Sequence, residues 1–163
     1  MKTYFHVPQA THPERLFAMR YLPQGGAVLD LGCGKNKTIP AAIGIDVQNC
    51  TDRQGSADDL SEFQDNTVAA IISRHSLEHL LDPIAALREW HRVLVPNGLA
   101  IIVLPDHAGV DTMHPVLSRG THLHAYTGET LANLIRTLGW FTFDVPPTVI
   151  LENWSFGTVL RKR

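Results

Sequence analysis

Four runs in the chain are apolar nearly throughout rather than alternating with polar positions: 27–31, 43–47, 68–73 and 99–104, with Asp30, Asp46 and Ser73 as their polar exceptions. Continuous apolarity marks strands covered by helices on both faces. A short further strand is expected near Thr51 to Gly55, and the chain end reads as two more strands, Trp140 to Asp144 and Trp154 to Leu160. Pro146-Pro147 reads as a hairpin or loop before the last of them. Helical spacing appears between strands. Asp82 can cap a helix that opens on Pro83 and repeats apolar positions at Ile84, Leu87, Trp90 or His91, and Leu94, with Pro96-Asn97-Gly98 as the closing turn. Thr127 can cap a second helix with the stripe Leu131, Leu134, Ile135 and Leu138, stopped by Gly139. A further helix is expected from Pro13 to Tyr21. Strands alternating with helices predict an α/β, doubly wound, mainly parallel seven-stranded sheet, with its site at the C-terminal ends of the strands.

The length of 163 residues suits a single domain with a sizeable core. Residues 1–24 are expected to form an N-terminal segment or helix, a pocket lid, and residues 25–163 the main domain. The net charge of −2 and the lack of a basic run argue against nucleic acid as a partner. No apolar run is long enough for a membrane span, and Met1 to His6 carry no apolar signal core. With only Cys33 and Cys50 there is no disulfide framework, so the expected setting is cytoplasmic.

The chemistry begins where the first strand runs into Gly32-Cys33-Gly34. Glycines let a backbone approach a ligand closely, because no Cβ intervenes. Twelve residues after Gly34 comes Asp46, a strand-end carboxylate able to accept hydrogen bonds from both ribose hydroxyls of a nucleoside. The same residues also suit a tight turn followed by a solvated aspartate.

Asp30-Leu31-Gly32-Cys33-Gly34, with Gly44-Ile45-Asp46-Val47, resembles motif I and the acidic second-strand motif of class I S-adenosylmethionine-dependent methyltransferases. The stretch 73–80 with Asp82-Pro83, the turn Pro96-Asn97-Gly98, and Tyr126-Thr127 before Leu138-Gly139-Trp140 resemble the ubiquinone/menaquinone-type branch, in a short first-helix variant. The resemblance covers roughly residues 25–163 and implies a Rossmann-like methyltransferase fold with S-adenosyl-L-methionine as cofactor. It implies that Gly32, Cys33 and Gly34 pass under the methionine part, that Asp30 sits near its amino group, and that Asp46 and Val47 meet the ribose. Ser73, Arg74 and His75 would offer carbonyls to the ammonium, and Ala57, Asp58 and Leu60 would lie beside the adenine. The chain departs from the pattern in three places. Lys35-Asn36-Lys37 replaces the third glycine, the segment from Gly34 to Gly44 is too short for the usual first helix, and Ser56 stands where an adenine-binding Asp is common.

The implied reaction is transfer of a methyl group to an O, N or C nucleophile of a small-molecule acceptor, with His75 and His107 as candidate bases at strand mouths. Glu78 and His79 are further candidate bases, Glu78 equally suited to a solvated or capping carboxylate and His79 to a structural histidine; His124 is expected to orient its loop. Asp106, His107, Asp111, His114, His122 and His124 are metal-ligand types, but their spacing matches no ligand pattern, so no metal is expected. By the same resemblance, the absence of an Asn/Asp-Pro-Pro-aromatic stretch or a cysteine after the fourth strand argues against base or glutamine amide methylation and C5-pyrimidine chemistry. Few insertions frame the pocket, which leaves room for a homodimer to complete it. A cofactor-binding module or subunit without catalysis is the competing reading. A nicotinamide oxidoreductase is a third, against which Lys37 at the third glycine position counts.

Overall fold

The computed structural model describes residues 11–48 and 52–163, and Cys50, Thr51 and the first ten residues of the expected N-terminal segment lie outside them. In chain order the elements are α1 (Pro13–Arg20), β1 (Ala27–Leu31), β2 (Ile43–Asp46), β3 (Arg53–Gln54), β4 (Val68–Arg74), a 3-10 turn (Leu77–His79), α2 (Pro83–Val93), β5 (Leu94–Pro105), α3 (Pro115–Ser118), α4 (Gly128–Leu138), β6 (Phe141–Leu151) and β7 (Ser155–Lys162). They build one seven-stranded sheet in the order β3-β2-β1-β4-β5-β7-β6. The first five strands pair in parallel, and β7 runs antiparallel between β5 and β6.

Alternation along the central strands explains their nearly unbroken apolarity. Ile71 and Ile102 face a core shared with Leu87 and Trp90 of α2 and Leu131 and Ile135 of α4. Their neighbours Ile72 and Ile101 face Phe17, Ala18 and Tyr21 from the other side of the sheet. Both faces of these strands therefore call for apolar residues along most of their length. The helix ends follow from local chemistry. The Asp82 carboxylate accepts from the backbone N–H groups of Ile84 and Ala85, Thr127 and Thr130 form a reciprocal capping box, and Gly139 closes α4 in the left-handed region at φ 70°.

Two expectations shift. Strand β5 begins at Leu94 rather than Leu99, because Pro96-Asn97-Gly98 is an excursion within it: pairing jumps from Val68↔Leu94 to Ala70↔Leu99, and Asn97 has φ 65°. Pro146-Pro147 lies inside β6, not in a loop, at a register shift between Val145 and Thr148. This is the outermost strand, where a missing N–H leaves no neighbour unpaired.

No helix connects β1 to β2. Buried Asp30 accepts from the Thr38 N–H, and the Arg74 guanidinium donates to Thr38 Oγ1 at 3.1 Å and the Asn36 carbonyl at 3.5 Å. Lys37 Nζ donates to the carbonyls of Pro40 and Ala42 and to Asp52, at 2.9, 2.9 and 2.7 Å. Polar staples fix this crossover where a helix would otherwise pack.

Candidate functional site

The C-terminal ends of β1, β2 and β4 open into a crevice of about 590 Å³ lined by Gly32, Gly34, Asp46, Val47, Ala57 and Asp58, with His75, Ser76 and His79 on the opposite wall. The two motif glycines serve different ends. A Cβ on Gly32 would lie 2.3 Å from that of Ser76, so the bend fits against the β4 end only as glycine. Gly34 has φ 54° and nothing within 4 Å of a Cβ position, so it borders open space. Its N–H donates to Asp46 Oδ2 at 2.8 Å, and the Gln48 N–H donates to Oδ1 at 2.9 Å. Each carboxylate oxygen retains acceptor capacity toward the crevice.

Other expected residues stand behind the wall. Asp30 is 1% exposed and spends its carboxylate on Thr38 rather than on a ligand amine; burial pushes its pKa up against that bond. Leu60 is a core residue, fully buried, so it is withdrawn from the adenine set. The Ser73 hydroxyl is buried against that of Ser76 at 3.0 Å, and the Arg74 side chain reaches back to the stapled crossover. Cys33 packs behind the bend, where a Cβ on Gly44 would come within 2.8 Å of its Sγ. His107 is exposed and turned into its own loop, its Nδ1 accepting from the Thr112 N–H at 3.3 Å. It does not line the crevice.

His75 does line it, but not as a base. Its Nε2 lies 3.0 Å from Glu14 Oε1 and its Nδ1 3.6 Å from Glu78 Oε1. Burial alone would lower the imidazole pKa; the two carboxylates outweigh it and raise it to about 10. Burial likewise pushes Glu14 up, yet His75, Ser155 and His12 hold it at about 2. The direction of the shift favours the imidazolium form, which has no lone pair to take a proton. The partner on α1 was invisible to sequence reasoning, because nothing local links positions 14 and 75.

Glu78 is the second departure: it is 1% exposed, neither solvated nor capping. Its backbone carbonyl accepts from the N–H groups of Leu123 and His124, which brings the loop after α3 against the 3-10 turn. His124 donates from Nε2 to the Leu80 carbonyl at 2.9 Å and so does orient its loop. Beside this turn a smaller cavity of about 70 Å³ is lined by His75, Pro105, Val110, Leu117, His122 and Trp154.

A sequence model of the methyltransferase domain family matches residues 6–142. The chain belongs to that family. Among curated proteins, the uncharacterized protein YafE of Escherichia coli K12 is 44% identical over 63 residues, 39% of this chain and 30% of YafE, so the match spans less than a third of that relative. Among solved structures, a SAM-dependent methyltransferase from Archaeoglobus fulgidus superposes with a TM-score of 0.75 at 17% identity, covering 97% of this chain and 96% of that one. The Burkholderia thailandensis 1,6-didemethyltoxoflavin-N1-methyltransferase, with bound 1,6-didemethyltoxoflavin and S-adenosylhomocysteine, superposes at 0.69 with 14% identity over 94% of this chain and 78% of its own. The doubly wound, Rossmann-like methyltransferase fold is thus the fold of this chain. Among the described residues no helix is long and apolar enough to cross a membrane.

Proposed function

We propose that this methyltransferase domain binds S-adenosyl-L-methionine in the crevice and transfers its methyl group to an O, N or C nucleophile of a small molecule. The observation that carries the reading is the direct bond between the glycine bend and the strand-end carboxylate, Gly34 N–H to Asp46, inside a crevice of ligand size. The residues fit an adenosyl–amino-acid ligand. Open space at Gly34 admits the methionine part, Asp46 keeps acceptor capacity for ribose hydroxyls, and Val47 and Leu81, 66% and 85% exposed, offer apolar surface to a purine. Ala57 and Asp58 bound the same end, with the Ser56 hydroxyl bonded to the Asp58 carboxylate. The solved neighbour with S-adenosylhomocysteine supports the same choice of cofactor.

When bound, S-adenosylmethionine supplies a methyl group already joined to a good leaving group. The chain's residues then have to bind, orient and exclude water. The small, mostly apolar cavity beyond His75 suits part of an acceptor, and the Glu14–His75 contact fastens α1 to that wall. In this reading α1 closes the acceptor end, and the C-terminal ends of β1, β2 and β4 hold the cofactor.

Calorimetric titration with S-adenosylhomocysteine and, separately, NAD tests the reading. Binding of the first alone is expected; binding of NAD alone would sink it. Asp46→Ala should weaken S-adenosylhomocysteine by about 1.5–3 kcal/mol, because charge-assisted hydrogen bonds to ribose disappear.

A further inference from the structure

The wall between the crevice and the smaller cavity carries a cluster that methyl transfer does not require. Glu78 is 1% exposed, and neither carboxylate oxygen has a partner in hydrogen-bond geometry among the described residues. Around its Oε1 stand three imidazole nitrogens, His75 Nδ1 at 3.6 Å, His79 Nε2 at 3.8 Å and His122 Nε2 at 4.0 Å. His75 is committed at its other nitrogen to Glu14. His79 Nδ1 lies 2.9 Å from the Thr121 carbonyl, to which it donates, and this leaves Nε2 as the lone-pair nitrogen turned toward Glu78. Such an outer hydrogen bond is what fixes the tautomer of a metal-binding histidine. The His79 and His122 rings meet edge to face with centroids 4.7 Å apart.

We propose that Glu78, His79 and His122 form a site for a divalent transition cation of the zinc class. One ligand atom from each lies within 4.8 Å of the other two. Ligand atoms around tetrahedral zinc sit about 3.3–3.4 Å apart, from bonds of about 2.0–2.1 Å, so the cluster needs a contraction of roughly an ångström. The nearest charge partner of this buried carboxylate, His75, stands at 3.6 Å, outside hydrogen-bond reach, and a cation bonded between Glu78 and the two other imidazoles would complete its coordination. Two histidines and one carboxylate leave a fourth tetrahedral position free. The spacing of the histidines along the chain carries no hint of the site, because His122 comes from a distant loop that Glu78 itself anchors through its carbonyl.

Tag-free protein stripped with a chelator would be titrated with zinc by calorimetry and with cobalt by visible absorption. One equivalent is expected, with ligand-field bands and no thiolate charge-transfer band. Glu78→Gln and His122→Ala should each weaken zinc at least about tenfold, whereas His114→Ala, on the same loop, should not. Failure to bind zinc, a thiolate band, or equal losses in all three variants would overturn the site. S-adenosylhomocysteine titrated into the same samples reports the fold of each variant. It also separates the two readings, because zinc binding does not depend on the cofactor. If Glu78→Gln fails to fold, His122→Ala, whose side chain is 13% exposed, carries the test alone.

Discussion

The two halves of the sheet solve the same problem with different chemistry. Between β4 and β5 the crossover is helix α2, and it is fastened by apolar burial: Leu87, Trp90 and Val93 are fully buried. Between β1 and β2 the crossover has no helix, and Asp30, Lys37, Asp52 and Arg74 fasten it through charged hydrogen bonds. Apolar burial is neither screened nor titrated, whereas a polar staple is directional, screened and individually weak. The crevice proposed for the cofactor opens on the weaker half. A ligand that bonds to Asp46 and lies on Gly34 would therefore order the very segment that the chain alone holds least firmly.

The largest effect should come from breaking the apolar half. Trp90 is fully buried and donates from Nε1 to the Ala57 carbonyl at 2.7 Å. Trp90→Ala should cost about 3–5 kcal/mol in chemical denaturation, from lost transfer energy and the cavity left behind. A loss below about 1 kcal/mol would show that α2 is not the stronger fastening.

Next comes Glu14, which joins α1 to the end of β4. Glu14→Gln leaves His75 beside one carboxylate instead of two and should cost about 2–3 kcal/mol, less than for a buried charge left with no partner, because Glu78 stays beside it. The pH dependence follows from the sign of each shift. His75 is raised from 6.5 to about 10, so its contribution is complete below 6.5 and fades as pH rises through 10. Glu14 is lowered from 4.5 to about 2, so its contribution is complete above 4.5 and fades as pH falls through 2. Wild-type stability should decline between pH 6.5 and 10, and the decline should be shallower in Glu14→Gln. Parallel profiles for the two proteins would contradict the pairing.

Sequence reasoning located what depends on neighbours in the chain. The Asp82 and Thr127 caps and the Gly139 stop each rest on interactions within a few residues, and each stands where it was expected. It failed where the deciding contact is remote. Glu14 and His75 are brought together across the sheet, and Glu78 is buried by a loop more than forty residues away. Leu60 failed for a subtler reason: after a strand of two residues, period alone does not say which side chains turn to the core and which to the crevice.

Within the polar half, Asp30→Ala should cost about 2 kcal/mol, because the Thr38 N–H loses its acceptor in a buried place. Part of the loss is offset, since burial already disfavours the charged form of Asp30. Thermal denaturation at neutral pH measures it, and an unchanged midpoint would show that the staple contributes nothing.

The smallest change in stability should come from Lys37→Ala, and it discriminates most sharply between the two kinds of fastening. Lys37 spans three acceptors, but its side chain is 25% exposed and that of Asp52 46%, so screening reduces each bond. Its loss should cost only about 1 kcal/mol of global stability. Its alkyl stem also fills the space over Gly44, where an added Cβ would meet Lys37 Cδ at 2.8 Å. Without it, residues 34–44 should exchange their amide hydrogens faster while β4 and β5 keep their protection. Saturating S-adenosylhomocysteine should restore slow exchange to the same residues, because the ligand orders the bend from the crevice side. Faster exchange spread evenly over the sheet would mean that the two halves share one fastening after all, and that Lys37 acts on the whole fold rather than on the polar crossover.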